Sequence, residues 1–187
     1  LTLEPGENKA WSSVIDSAAG FAYFGMDSIP GIVVKVRLSD FTRVGALTLN
    51  EDENFVDAAV IDPAGGFAYF GTDTMPGKVV KVRLSDFTRV DALTLSSSEG
   101  FVNSAVIDPA SGFAYFGTDT VPGIVVKVQL SDFTRMGALT FNPGEVLKPI
   151  PVPILGDATF EPNEILTVTL SAPSGAGITD GLGVGTI

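Results

Sequence analysis

The sequence has no cysteine and no histidine, and only one tryptophan among its 187 residues. Without cysteine there are no disulfides, no zinc thiolate site and no thiol nucleophile. Without histidine the usual general base, a common transition-metal ligand and a pH switch near neutrality are missing. Positive charge is scarce: 11 Lys and Arg stand against 22 Asp and Glu, a net charge of −11. Nucleic acid is therefore not an expected partner, because phosphate binding needs a basic face. An acidic surface suits solubility or cation binding. No apolar run approaches the ~20 residues of a membrane-spanning helix, so no such span is expected. No Gly-rich phosphate loop of standard spacing and no Asn-x-Ser/Thr acceptor occurs. No segment shows a 3.6-residue apolar period, which argues against amphipathic helices.

What is present is apolar and turn-rich. The chain is 45% hydrophobic and 18% charged, enough to bury a core. Its 21 glycines and 12 prolines suit short strands joined by turns. The dominant feature is a repeat. Phe21, Phe67 and Phe113 follow one another at 46 residues, as do Leu1, Leu47, Leu93 and Leu139. The copies lie near 1–46, 47–92 and 93–138.

Each copy reads as four strands. In the second copy these are "AAVID", "FAYFG", "KVVKVRL" and "VDALTL". "FAYF" is apolar on both alternating faces, which predicts a strand covered on both sides. "VVKVRL" sets Val80, Val82 and Leu84 against Lys81 and Arg83, which predicts a half-exposed strand. Pro-Gly at 30–31, 76–77 and 122–123 predicts type II turns, with the glycine at positive φ. Ser-Asp at 39–40, 85–86 and 131–132 starts another turn. A gradient from two-sided to one-sided burial across four antiparallel strands is what a propeller blade requires.

"AVID", "GFAYFGT" and "GxVVKVxLSDFTRV" together resemble the YVTN-type and related repeats of bacterial surface β-propellers, over about 1–141. The resemblance implies an all-β fold of about three four-stranded antiparallel blades. Three blades do not close a ring, so the expectation is a piece of a longer protein with further repeats upstream. After Thr140 the repeat stops. "GALTFNPGE", "VPILGDATFEPNE", "LTVTLSAP" and "GLGVGTI" resemble, in order and spacing, the C-terminal half of a Calx-beta domain, a Greek-key β-sandwich. Residues 142–187 are thus expected to form a partial β-sandwich. The resemblance implies Ca²⁺ binding, with Asp157, the Thr159 carbonyl, Glu161 and Glu164 as the metal site. Gly156 stands where many calcium-binding members carry another acid.

Other candidates come in sets. Asp27, Asp73 and Asp119 fall at equivalent positions and either ring one face, to hold cations or polar ligands, or bond local backbone in Asx-type turns. "NEDEN" at 50–54 reads as a solvated hairpin tip. The recurring Lys and Arg residues are expected to pair with Asp or Glu, or to blunt strand edges. Trp11 stands where other copies have Asp57 and Asn103; it is expected to cover an inter-blade surface, or else to bind a glycan. Glu161 and Glu164 sit too close in one segment to act as a glycosidase pair. The leading expectation is a non-enzymatic structural or interaction module of a secreted or cell-surface bacterial protein, with a protein or glycan ligand. The alternatives are a propeller-enzyme fragment whose catalytic residues lie elsewhere, and a truncated gene product without independent function.

Overall fold

Each copy of the repeat folds as one four-stranded antiparallel sheet in a computed structural model that describes residues 1–142, 165–169 and 182–186. Blade 1 holds β1 (Ala10–Asp16), β2 (Phe21–Met26), β3 (Ile32–Arg37) and β4 (Thr42–Thr48). Blade 2 holds β5 (Val56–Asp62), β6 (Phe67–Thr72), β7 (Lys78–Arg83) and β8 (Thr88–Thr94). Blade 3 holds β9 (Val102–Asp108), β10 (Phe113–Thr118), β11 (Gly123–Gln129) and β12 (Thr134–Phe141). In every blade the sheet order follows the chain order, so neighbours are joined by hairpins. The described residues contain no helix. The fold is all-β and the ring of blades is open.

The chain divides into two compact units, Leu1–Lys148 and Pro149–Ile187. In the second, β13 (Ile165–Thr169) pairs antiparallel with β14 (Leu182–Thr186). "VPIL" and the four residues of the expected calcium site, Asp157, Thr159, Glu161 and Glu164, lie outside the described residues.

The first strand of each repeat is innermost, because β5 packs against β1 on one side and β9 on the other. The second strand is sealed on both faces, as "FAYF" predicts: Ala68, Tyr69 and Phe70 are all essentially buried. Each such large apolar side chain stabilises the fold by roughly 2–3 kcal/mol. The third strand is more covered than its alternation suggests. Adjacent Val79 and Val80, on opposite faces, are both fully buried. Lys81 is half-buried, with Nζ 4.2 Å from the Phe67 ring centre. An alkyl stem and a cation over a ring let lysine occupy a covered face.

Two cores hold the blades together. Between blades 1 and 2, Tyr23, Val33 and Leu49 meet Phe70, Val80 and Val82. Between blades 2 and 3, the equivalent Tyr69, Val79 and Leu95 meet Phe116, Val126 and Val128. A repeated aromatic seam lies beside each. Tyr23 contacts Phe87 of the next blade at 5.7 Å between ring centres, and Tyr69 contacts Phe133 at the same distance. Phe87 and Phe133 adopt left-handed backbone, φ 54° and 55°, which is rare for a bulky residue. Close packing is set by glycine. A Cβ on Gly25 would lie 2.5 Å from the Val56 carbonyl oxygen, and one on Gly71 would lie 2.5 Å from Val102 Cγ1.

The Pro-Gly turns are not type II. Gly31, Gly77 and Gly123 are absent from the positive-φ residues, and the preceding Ile29–Pro30, Met75–Pro76 and Val121–Pro122 bonds are cis. Glycine is needed at 31 for space instead, since a Cβ there would sit 2.5 Å from the Glu53 carbonyl oxygen.

Candidate functional site

The site is built at the end of the blades where the innermost strands begin. Three chain segments of each repeat converge there: the loop entering the inner strand, the start of that strand, and the loop between the second and third strands. Backbone bonds tie them together. Asp27 N donates to Lys9 O at 3.0 Å, Asp73 N to Phe55 O at 2.8 Å and Asp119 N to Phe101 O at 2.8 Å. A β-bulge then interrupts each inner strand, between Ala10 and Ser12, between Val56 and Ala58, and opposite Gly117/Thr118. The bulge residues are Trp11, Asp57 and Asn103. Bulges re-aim a side chain, and they recur next to functional sites.

Carboxylates of different blades feel one another at this end. Burial, the Asp73 charge and the Asp27 charge push Asp57 up to about 6. Burial, the Asp119 charge and the Asp27 charge raise Asp73 above the ordinary carboxylate range. Of the two readings of Asp27, Asp73 and Asp119, these mutual charges favour the grouping on one face, and Asp57 joins it. The Asx-turn reading is corrected. Asp27 accepts from Lys9 Nζ at 2.8 Å, and no backbone N–H among the described residues donates to the side chains of Asp73 or Asp119. Threonines shape these loops instead: Thr74 Oγ1 donates to Pro76 O at 2.9 Å, and Lys78 N donates to Thr72 Oγ1 at 3.0 Å. Asx-type bonds sit at the opposite end, where Ala19 N donates to Asp16 Oδ1 and Gly65 N to Asp62 Oδ1, both at 2.9 Å.

The seam between blades 1 and 2 has a further peculiarity here. Ser28 Oγ, Asn54 Oδ1 and Asp57 Oδ1 are buried without a hydrogen-bond partner. Blade 3 has Gly100 and Asn103 in place of Asn54 and Asp57. Trp11 is 64% exposed, so it does not cover an inter-blade surface in this chain. Among the described residues no group of three or more acids is arranged to hold a metal ion.

A second carboxylate series is structural. Glu53 of "NEDEN" is 1% exposed, so the solvated tip expected there holds for Asn50, Glu51 and Asp52 but not for Glu53. Its carboxylate accepts from Arg89 Nε at 2.8 Å and from Asn50 N at 3.1 Å. Glu7 with Arg43, and Glu99 with Arg135, repeat the pair. The Arg43 bond holds Glu7 below its ordinary value. Burial alone would raise Glu99, but Arg135 and the Ser96 N–H hold it low. The expected acid–base pairing of the arginines is thus met, whereas Lys35 and Lys81 ride over rings. Lys35 and Tyr23 line a cavity of about 370 Å³ at the opposite end, with Asp16, Phe21, Pro63 and Leu84. Burial and then Asp16 push Tyr23 up to about 12.

Sequence reasoning offered the grouping of Asp27, Asp73 and Asp119 only as the alternative to Asx-type turns, and it missed Asp57 and the burial of Glu53. The available signal was variation among the copies. They differ most at 4–13 and 26–32 and their equivalents, the segments that meet at this end. No family model matches the chain, and no curated protein matches it. Among solved structures, the chain is similar to the crystal structure of RRP9 WD40 repeats, at TM-score 0.59 and 8% identity, over 70% of this chain and 38% of that one. A structure of U3-55K matches with the same TM-score, identity and coverage. The chain thus spans well under half the length of either neighbour. At this identity the likeness carries the fold alone, and it is that of β-propeller repeats.

Proposed function

We propose that the chain is a non-enzymatic interaction module that takes a cationic protein segment at the inner-strand end of its blades. The observation that carries this reading is where the copies differ. Core and seam positions are nearly interchangeable from blade to blade, whereas the loops and bulges at that end are not. A recognition surface needs such individuality; a scaffold does not. Asp57, Asp73 and Asp119, which repel one another and Asp27 and have no cationic partner among the described residues, would gain from a positive segment. The exposed Trp11 ring at the equivalent bulge suits lysine or arginine. Loops on a rigid scaffold are the usual place for such recognition. Asp27, Asp73 and Asp119 recur at like positions and the chain has no histidine or cysteine, which favours binding over catalysis.

The same proposal extends to the tail on the strength of the Calx-beta resemblance. Asp157, the Thr159 carbonyl, Glu161 and Glu164 would hold Ca²⁺ and stiffen a spacer in a bacterial surface protein.

Trp11 is the sole tryptophan, so its fluorescence reports this end directly. Titration with a short oligolysine peptide is expected to shift Trp11 emission, with affinity falling as salt rises. Asp57→Asn with Asp73→Asn is expected to weaken it. An equal response to oligoglutamate, or unchanged affinity in the double variant, contradicts the reading.

A further inference from the structure

Asp and Glu outnumber Lys and Arg by 22 to 11, yet some lysines go without a carboxylate. Seven of the described lysines and arginines form ion pairs. Among the described residues Lys35, Lys81 and Lys127 form none, and they hold one position in the three repeats. Each lies over aromatic rings instead. Lys35 Nζ is 4.1 Å from the ring centre of Phe21, 5.5 Å from Tyr23 and 5.6 Å from Phe87 of the next blade. Lys81 has the same cage in Phe67, Tyr69 and Phe133 of the next blade. The rings attract the cation but give its N–H donors no oxygen to bond.

Lys35 lines the cavity of about 370 Å³ at the seam between blades 1 and 2. Its walls come from those two blades alone: Asp16, Phe21, Tyr23 and Lys35 from the first, Pro63 and Leu84 from the second. Tyr23 is 1% exposed, and its hydroxyl makes no hydrogen bond among the described residues. That oxygen is not sealed in protein, as Ser28 Oγ, Asn54 Oδ1 and Asp57 Oδ1 are, so it opens on the cavity. Tyrosine here, unlike the phenylalanines at 21 and 24, thus supplies a second donor beside Lys35. Asp16 supplies the opposite charge. It is 6% exposed, and its Oδ1 accepts from Ala19 N at 2.9 Å. It forms no ion pair with Lys35, although its charge partly offsets the burial that lowers Lys35. A carboxylic acid alone would meet Lys35 and Tyr23 but be repelled by Asp16, and an amine alone would meet Asp16 but be repelled by Lys35. A molecule with both charges and an apolar body suits all three groups and the walls.

We infer that this cavity binds a small apolar α-amino acid, its carboxylate on Lys35 Nζ and the Tyr23 hydroxyl, its ammonium toward Asp16, and its side chain against Phe21, Pro63 and Leu84. The volume lies at the small end of ligand pockets, about 300–1,000 Å³. The site is separate from the aspartate-lined end and does not rest on the reading given to it. The same wall recurs in sequence between blades 2 and 3 as Asp62, Phe67, Tyr69, Lys81, Pro109 and Leu130, so an equivalent second site is expected.

Isothermal titration calorimetry on the full chain carrying Lys81→Met tests the first site alone. Methionine keeps an apolar stem over the rings and removes the charge. L-Phenylalanine and L-leucine are expected to bind saturably. 3-Phenylpropionate and phenethylamine, each lacking one charge, are expected to bind about tenfold more weakly or worse. Adding Lys35→Met is expected to weaken L-phenylalanine about tenfold, and Tyr23→Phe about fivefold, with folding checked by circular dichroism. Trp11 emission is expected to stay unchanged, because Trp11 lies at the other end of the blades. No saturable binding of either amino acid at ~10 mM overturns the inference, as does an affinity unchanged by Lys35→Met. Equal binding of 3-phenylpropionate or of phenethylamine also overturns it, since one of the two charges would then play no part.

Discussion

Gly25, Gly71 and Gly117 occupy one position in three nearly identical phrases, yet alanine should affect them differently. None has positive φ, so alanine fits the backbone at each. The neighbours decide the outcome. At Gly25 the new methyl would lie 2.5 Å from the Val56 carbonyl oxygen and 2.3 Å from Ser12 Oγ. That backbone belongs to the inner strand of the next blade, and Ser12 Oγ donates to the same carbonyl at 2.6 Å. It cannot yield unless the seam opens. At Gly71 the contacts are side chains, Val102 Cγ1 at 2.5 Å and Ala58 Cβ at 3.1 Å. At Gly117 the only contact under 3.4 Å is the Ser104 hydroxyl, which can rotate away. Overpacking costs about 1–3 kcal/mol, while Gly→Ala recovers ~0.4–1 kcal/mol by restricting the unfolded chain. Gly25→Ala is therefore expected to destabilise by about 2 kcal/mol and Gly71→Ala by about 1 kcal/mol. Gly117→Ala should fall within ~0.5 kcal/mol of neutral. Urea unfolding of dilute protein, followed by far-UV circular dichroism, measures all three. A cost at Gly117 equal to that at Gly25 would refute the reasoning, because the effect would then lie in the strand and not in the seam.

Other consequences follow from the charged groups. Asp57 is raised from 3.8 to about 6, so the folded state holds the proton more tightly than the unfolded one. Its contribution is present below pH ~4 and is lost as pH rises through about 6. The shift has a ceiling of ~3 kcal/mol at ~1.4 kcal/mol per unit, and solvent and salt screening reduce it to about 1 kcal/mol. Asp57→Asn should thus gain stability on the wild type between pH 4.5 and 7.5; parallel pH–stability curves would contradict this. Glu7 and Glu99 act in the opposite sense: their lowered values give stability present above pH ~4.5 and lost as pH falls. Arg89→Ala should cost about 3 kcal/mol by leaving the buried Glu53 carboxylate unpaired, and Glu53→Gln less, since Arg89 is 26% exposed and can turn to water. Equal denaturation midpoints for the two variants would count against that account. For the tail, millimolar Ca²⁺ should raise the melting temperature of the wild type and not of Asp157→Ala, and identical shifts would dismiss the metal site.

The sequence made the blades legible because their signals are local. The 46-residue spacing of Phe21, Phe67 and Phe113 defined the units, and alternation within "FAYF" foretold its two-sided burial. Several misreadings involve neighbours distant in sequence. Glu53 looked solvated because nothing nearby shows that Arg89, 36 residues later, will close over it. Lys81 looked exposed because the ring that completes its cage, Phe133, belongs to the next copy. Asp57 looked like one variant among Trp11 and Asn103 until the bulge brought it beside the aspartates of other blades. Gly31 looked like a turn former when it serves as a gap for Glu53.

Hydrogen exchange of the two identical segments, Gly66–Thr74 and Gly112–Thr120, tests the central claim that stacking rather than local sequence sets burial. Their flanks differ in "PAGG" against "PASG", and in Met75 against Val121, so mass spectrometry separates the peptides. Intrinsic exchange rates match where the sequences match, so any difference comes from context. The account predicts slower exchange in Gly66–Thr74, which has a blade on either side, than in Gly112–Thr120, which has one among the described residues. Equal exchange in the two segments, or faster exchange in the first, would contradict it.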